Sequence, residues 1–143
     1  MVFVDTNVYF YAHEDREAKK QAACREWLRD IARRRLGRAN LQVANEFTHI
    51  VLRKLRVPAE TVFRLADDIL LWGDSPVTSE TVSRARVIHP RYGYSWWDSI
   101  LLASALELSC THFLSENLHD GQKVDGLTII DPFAHSPAEF FQR

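Results

Sequence analysis

Apolar residues along this chain alternate between short bursts and helical stripes. Val2-Phe3-Val4 is a β-branched and aromatic run too short for a helix, and polar Asp5-Thr6-Asn7 ends it, which predicts a buried first strand. From Glu17 to Leu36, Ala18, Ala22, Ala23, Trp27, Ile31 and Ala32 recur at helical steps. Arg33, Arg34 and Arg35 lie near the end of that stretch and Gly37 behind them, so it predicts an amphipathic helix with a basic end. Leu41-Gln42-Val43 reads either as a short strand or as the lead-in to a helix carrying Val43, Phe47, Ile50 and Val51 to about Leu55. Pro58 opens another helix through Val62, Leu65, Ala66 and Ile69, with Gly73 as its stop. Ser79 to Ile88 is a weaker helix, which His89-Pro90-Arg91-Tyr92-Gly93 is expected to break. Trp96 to Leu108 is apolar on nearly every face and predicts a helix buried against a sheet. His112-Phe113-Leu114 and Leu127-Thr128-Ile129-Ile130 are short strands, separated by the polar, turn-rich stretch Ser115 to Gly126. Strands alternating with helices of this length predict an α/β fold whose mainly parallel sheet is covered on both faces.

Composition narrows the class without choosing a function. The 143 residues suit one domain, 1–143, and the balance of 46% hydrophobic to 26% charged residues excludes a disordered or fibrous chain. A net charge of −1 neither favours nor excludes a nucleic-acid partner, because a local basic face can sit on a near-neutral body. No apolar run approaches the roughly 18 residues of a membrane span, and Met1 leads directly into the first strand without a secretory pattern. Cys24 and Cys110 lack metal-type spacing and suit buried free thiols. Together these features lead us to expect a cytoplasmic protein with no membrane partner.

Candidate chemistry lies in the carboxylates. Ligands of open parallel sheets bind at the carboxyl ends of the strands, where Asp5 and Ser115-Glu116-Asn117 are expected. Asp98 falls in the first turn of the buried helix, and Glu46 shares a polar stripe with His49 and Arg53. Crowded carboxylates repel unless a cation neutralises them, and Mg²⁺ or Mn²⁺ is the natural partner of such oxygen donors. Each acid also has a plainer explanation. Asp5 suits a helix N-cap, Ser95-Trp96-Trp97-Asp98 fits a capping box, and Glu46 with its neighbours fits a solvated helix face.

At these residues the sequence resembles the PIN-domain family, and within it the toxin nucleases of VapBC-type systems. Val2-Phe3-Val4-Asp5-Thr6-Asn7-Val8, Val43-Ala44-Asn45-Glu46-Phe47 and the stretch Ser95 to Ala105 around Asp98 match its acid-bearing segments. The likeness runs on through Phe113-Leu114-Ser115-Glu116-Asn117-Leu118 and Ile129-Ile130-Asp131-Pro132-Phe133. One departure stands out, since Asn117 occupies the position where the family commonly has a further Asp. The resemblance implies a three-layer α/β/α sandwich and an endoribonuclease that uses Mg²⁺ or Mn²⁺. Asp5, Glu46, Asp98, Asn117 and Asp120 would form its catalytic set. Asp5, Glu46 and Asp98 would hold the metal, with Asp120, ahead of Glu116, replacing the missing fourth acid. Thr6, Asn7 and Ser115 would orient the carboxylates or metal-bound waters. It also implies an RNA substrate, a homodimer, and an antitoxin protein laid into the acidic groove.

Two basic stretches, Arg25 to Arg38 and Arg53-Lys54-Arg56, are available to phosphates, although solvated helix faces account for any one of these side chains. Tyr92, Tyr94, Trp96 and Trp97 crowd the approach to Asp98, where aromatics can stack on unpaired bases, but for the tryptophans core packing is the favoured expectation. Among rival readings, a haloacid-dehalogenase-like phosphatase needs an acid two residues after Asp5, where this chain has Asn7. A receiver-like phosphoacceptor would want paired acids before its phosphorylated aspartate and a late lysine. A PIN-like RNA-binding scaffold with a decayed metal site is the alternative that Asn117 keeps open.

Overall fold

The computed structural model of the protein describes residues 1–141. In chain order its elements are β1 (Val2–Val4), α1 (Thr6–Tyr11), α2 (Ala18–Arg33), β2 (Gly37–Arg38), α3 (Leu41–Lys54), α4 (Ala59–Leu70), α5 (Ser79–Tyr92), α6 (Trp96–Glu107), β3 (His112–Leu114), β4 (Lys123–Val124) and β5 (Leu127–Ile130), followed by a short 3₁₀ turn at Pro137–Glu139. The five strands form one sheet in the order β2-β1-β3-β5-β4. All pairings are parallel except β4 with β5. Val2, Phe3 and Val4 are all buried, yet successive strand residues point to opposite faces, so both faces of the sheet are covered. This is the expected α/β/α arrangement. The stacked rings of Phe3 and Phe113, with centroids 5.4 Å apart, tie the two central strands together on one face.

The helices follow the stripes that predict them. In α4, Val62, Ala66 and Ile69 are buried, while the continuous burial of Ser99 to Ala105 in α6 matches its all-round apolar pattern. Leu41-Gln42-Val43 is the lead-in to a helix, because the Asn40 side chain accepts from the Val43 N–H at 3.0 Å and caps α3.

Three expectations give way. Gly37 does not stop α2; it opens β2, where a Cβ would come within 2.5 Å of the Trp72 ring. The helix ends instead on Arg35 at φ 57°, with Leu36 N–H donating to the Ile31 carbonyl and Arg35 N–H to the Ala32 carbonyl. The Pro90 segment does not break α5, which runs through Pro90 to Tyr92 and stops at Gly93 in the left-handed conformation. The stretch Ser115 to Gly126 is not wholly turn, since Lys123–Val124 pairs antiparallel to β5. Both cysteines are buried and free, and burial pushes the thiol of Cys24 up to about 12 and that of Cys110 up to about 11. None of the described helices is long and apolar enough to cross a membrane.

Candidate functional site

From β1 the chain moves outward to β2, and after four helices it returns to β3 on the other side of β1. The carboxyl ends of β1 and β3 are therefore the switch point of the sheet, the usual ligand position in open α/β folds. Asp5 follows β1 there and Ser115 follows β3. Both are buried, and the Ser115 hydroxyl donates to Asp5 Oδ2 at 2.8 Å. Asp5 also caps α1, its Oδ1 accepting from the Thr6 N–H at 2.7 Å, so the capping and site readings hold together in one side chain. Asn7 completes the frame. Its Nδ2 reaches Asp5 Oδ2 at 3.3 Å and Ser115 Oγ at 3.1 Å, and its Oδ1 accepts from the Glu116 N–H at 3.4 Å.

Glu46 enters from α3. The Thr6 hydroxyl donates to its Oε2 at 3.0 Å and Gln42 Nε2 to its Oε1 at 3.0 Å, so its position is set from both α1 and its own helix. The Gln42 contact went unforeseen, although the four-residue spacing on one helix face signals it. Asp98 enters from the first turn of α6. Only half of the capping box forms: Ser95 Oγ accepts from the Asp98 N–H at 3.1 Å, and among the described residues no bond returns from the Asp98 carboxylate to the Ser95 N–H. The two acid-bearing helices are pinned to each other where buried Asn40 donates to Ser104 Oγ at 3.0 Å.

Asp5 senses both of the other acids. Burial is the main cause that raises the Asp5 carboxyl from 3.8 to about 7; the Ser115 hydrogen bond opposes it, the Asp98 charge adds to it, the Thr6 N–H lowers it, and the Glu46 charge raises it further. Burial likewise raises the Asp98 carboxyl, against a hydrogen bond from Ser95.

The other named acids are held elsewhere. Glu116 pairs with Lys20 at 3.2 Å, and that ammonium lies 4.6 Å from the centroid of the Tyr11 ring. Asp120 is occupied on both oxygens, accepting from the Asp131 N–H at 2.9 Å and meeting His135 Nε2 at 2.7 Å. Its carboxyl lies below its ordinary value: burial raises it, but the Asp131 N–H and His135 together outweigh that. Asn117 is exposed at the rim, its N–H on Ser115 Oγ at 3.3 Å. Thus Asp98 and Glu46 lie within electrostatic reach of Asp5, which Thr6, Asn7 and Ser115 frame, whereas Glu116 and Asp120 have Lys20 and His135 as partners of their own.

Comparison with known proteins gives the family and the fold. The PIN domain sequence profile matches residues 2–119, which takes in Asp5, Glu46 and Asp98. The chain belongs to the PIN-domain family. Among solved structures, this PIN domain is similar to FitAcB from Neisseria gonorrhoeae, with TM-score 0.66 and 16% identity over 93% of this chain and 99% of that one. It is also similar to a toxin–antitoxin complex from Klebsiella pneumoniae, with TM-score 0.63 and 17% identity over 92% and 98% of the two chains. A third is VapC20 of Mycobacterium tuberculosis, described as a sarcin-ricin loop cleaving toxin, with TM-score 0.57 and 18% identity over 85% and 92%. At these identities the likeness speaks for the fold. No curated protein matches the chain by sequence at a significant level.

As placed, no three acidic, histidine or cysteine side chains among the described residues enclose an ion. The donor chemistry nonetheless fits a hard divalent cation. One fully buried carboxylate shares its surroundings with two others whose charges oppose its ionisation, and a cation there would relieve that cost.

Proposed function

We propose that this PIN domain is a Mg²⁺- or Mn²⁺-dependent endoribonuclease and the toxin of a toxin–antitoxin pair, acting in the cytoplasm as a homodimer. The observation that carries the chemistry is Asp5: a buried carboxyl at the sheet's switch point, raised to about 7 with Asp98 and Glu46 acting on it. Such a group is stable as an anion only beside a positive charge. The similarity to toxin structures supports the pairing with an antitoxin, and the family supports the nuclease.

Asp5, Glu46 and Asp98 would hold the ion. When bound, the metal polarises a phosphoryl oxygen and lowers the pKa of a coordinated water. This chain's own residues supply preorganisation. Ser115 and Asn7 fix Asp5 Oδ2, Thr6 and Gln42 fix the two oxygens of Glu46, and Ser95 anchors the turn that presents Asp98. An antitoxin segment suited to the same groove would present an arginine fork to the carboxylates and compete with Mg²⁺.

Calorimetric titration with Mn²⁺, paired with RNA cleavage, tests the reading. Micromolar binding that disappears together with cleavage in Asp5→Asn supports it. A folded protein that binds no Mn²⁺ favours the scaffold reading, which Asn117 in place of the family's usual acid supports.

A further inference from the structure

Trp96 and Trp97 are adjacent in sequence but not alike in place. Trp96 is half-buried, its ring edge-on to His89 with centroids 6.3 Å apart, whereas Trp97 leaves 63% of its surface exposed. The core packing expected for both tryptophans therefore fails for Trp97. It precedes Asp98 on the first turn of α6 and forms one wall of a groove of about 670 Å³, within the roughly 300–1,000 Å³ range of ligand sites. Glu46 lines the same groove, so the groove reaches one of the three candidate metal ligands. The facing wall is α3, which presents Asn45 and His49, both exposed, while Leu41 and Val77 supply apolar contact.

We propose that Trp97 is the stacking platform for one unpaired base of the RNA, seating the nucleotide beside the cleaved phosphate. This rests on the nuclease reading and deepens it by naming the side chain that seats the substrate. An indole face accepts any base by stacking, and the amide of Asn45 and the imidazole of His49 line the same groove and offer donors and acceptors to base edges. The position is rigid, because Trp97 stands on a helix whose next residues, Ser99 to Ala105, are all buried. A second copy of this chain is the rival occupant. The amide, imidazole and carboxylate groups lining the groove favour the nucleotide, since interface cores are poor in charged side chains.

The experiment crosses two changes. Wild type, Trp97→Ala and Trp97→Phe are each given a short single-stranded RNA, intact or with single abasic sites placed in turn around the cut. Both Kd in the presence of Mg²⁺ and the cleavage constants are measured. Trp97→Ala should raise Kd and KM about tenfold with kcat little changed, and Trp97→Phe should recover most of the loss. One abasic position should weaken binding to wild type by a similar factor and leave Trp97→Ala unaffected, because the stacking is already gone. Base and indole effects that multiply independently overturn the proposal, as does a dimer that Trp97→Ala converts to monomer while RNA binding is unchanged. Base-dependent binding through Trp97 without cleavage by wild type keeps the platform and rejects the nuclease.

Discussion

Asp5 directly follows β1 and Asp120 lies in the loop between β3 and β4, and their surroundings drive the two aspartates in opposite directions. Asp5 is buried among neutral donors with two other carboxylates acting on it, and its carboxyl is raised to about 7. Asp120 is exposed, takes a backbone N–H and an imidazole, and its carboxyl is lowered. A carboxylate that already has its counter-charge has little left to offer an ion, whereas one buried without it is poised for a cation. Donor supply, more than residue type or position in the loop, separates the two.

The largest expected difference between them is in activity. Asp5→Asn should abolish RNA cleavage and Mn²⁺ binding, while Asp120→Asn should leave both near wild type. Equal losses in the two variants, measured on folded protein, would erase the contrast and restore Asp120 to the metal site.

Stability against pH provides the next test. In chelator, a carboxyl raised from 3.8 to about 7 binds its proton more tightly folded than unfolded, so the folded state loses stability as pH rises across that window. At about 1.4 kcal/mol per pH unit, the fall is on the order of 4 kcal/mol by neutral pH. Urea unfolding at several pH values should show it in wild type, should show it flattened in Asp5→Asn, and should show it reduced by added Mg²⁺. A wild-type profile that is level from about pH 4 to 7 contradicts a dry Asp5.

Tyr9 measures that dryness from below. Its hydroxyl is buried with no partner among the described residues, and burial followed by the Asp5 charge raises its pKa. Tyr9→Phe should raise apoprotein stability by about 1 kcal/mol, because an unsatisfied buried hydroxyl is removed. A loss of that size would mean that the hydroxyl is hydrogen-bonded in solution.

The smallest effect belongs to the other side of the comparison. His135 has its pKa raised by the hydrogen bonds it donates to Asp120 and Glu139, so its contribution is complete below its unfolded pKa and disappears as pH rises through the higher folded value. The lowered Asp120 carboxyl is the mirror case, contributing above its unfolded pKa and losing that contribution as pH falls through the folded one. The pair is partly exposed and screened by solvent, so His135→Gln should change stability by less than about 1 kcal/mol, with the difference fading in alkaline buffer.

Much of this arrangement was legible in the chain. Hydrophobic period alone places β1 before Asp5, Phe47 on the buried side of α3 with Glu46 beside it, and Ser95 at the start of α6. Strands of two residues, β2 and β4, carry no period to read. The left-handed turn at Arg35 was hidden because the conformation usually favours glycine, and Gly37 nearby drew the boundary instead. The pairings of Glu116 and Asp120 were hidden for another reason. Their partners, Lys20 and His135, come from distant segments that only the folded chain brings to them, and local turn chemistry says nothing about such pairings.

The bond from Asn40 to Ser104 has a consequence for how such a chain can change. Asn40 caps the helix of Glu46, and Ser104 lies in the helix of Asp98, so the two acids are surveyed from one buried peg rather than through the chain between them. The intervening stretch from Leu55 to Gly93 behaves as an excursion from that peg. The outer helices α4 and α5 still bury Val62, Ala66, Ala85 and Ile88 in the core, so only their exposed faces are free to change without disturbing the contact that seats Glu46 and Asp98.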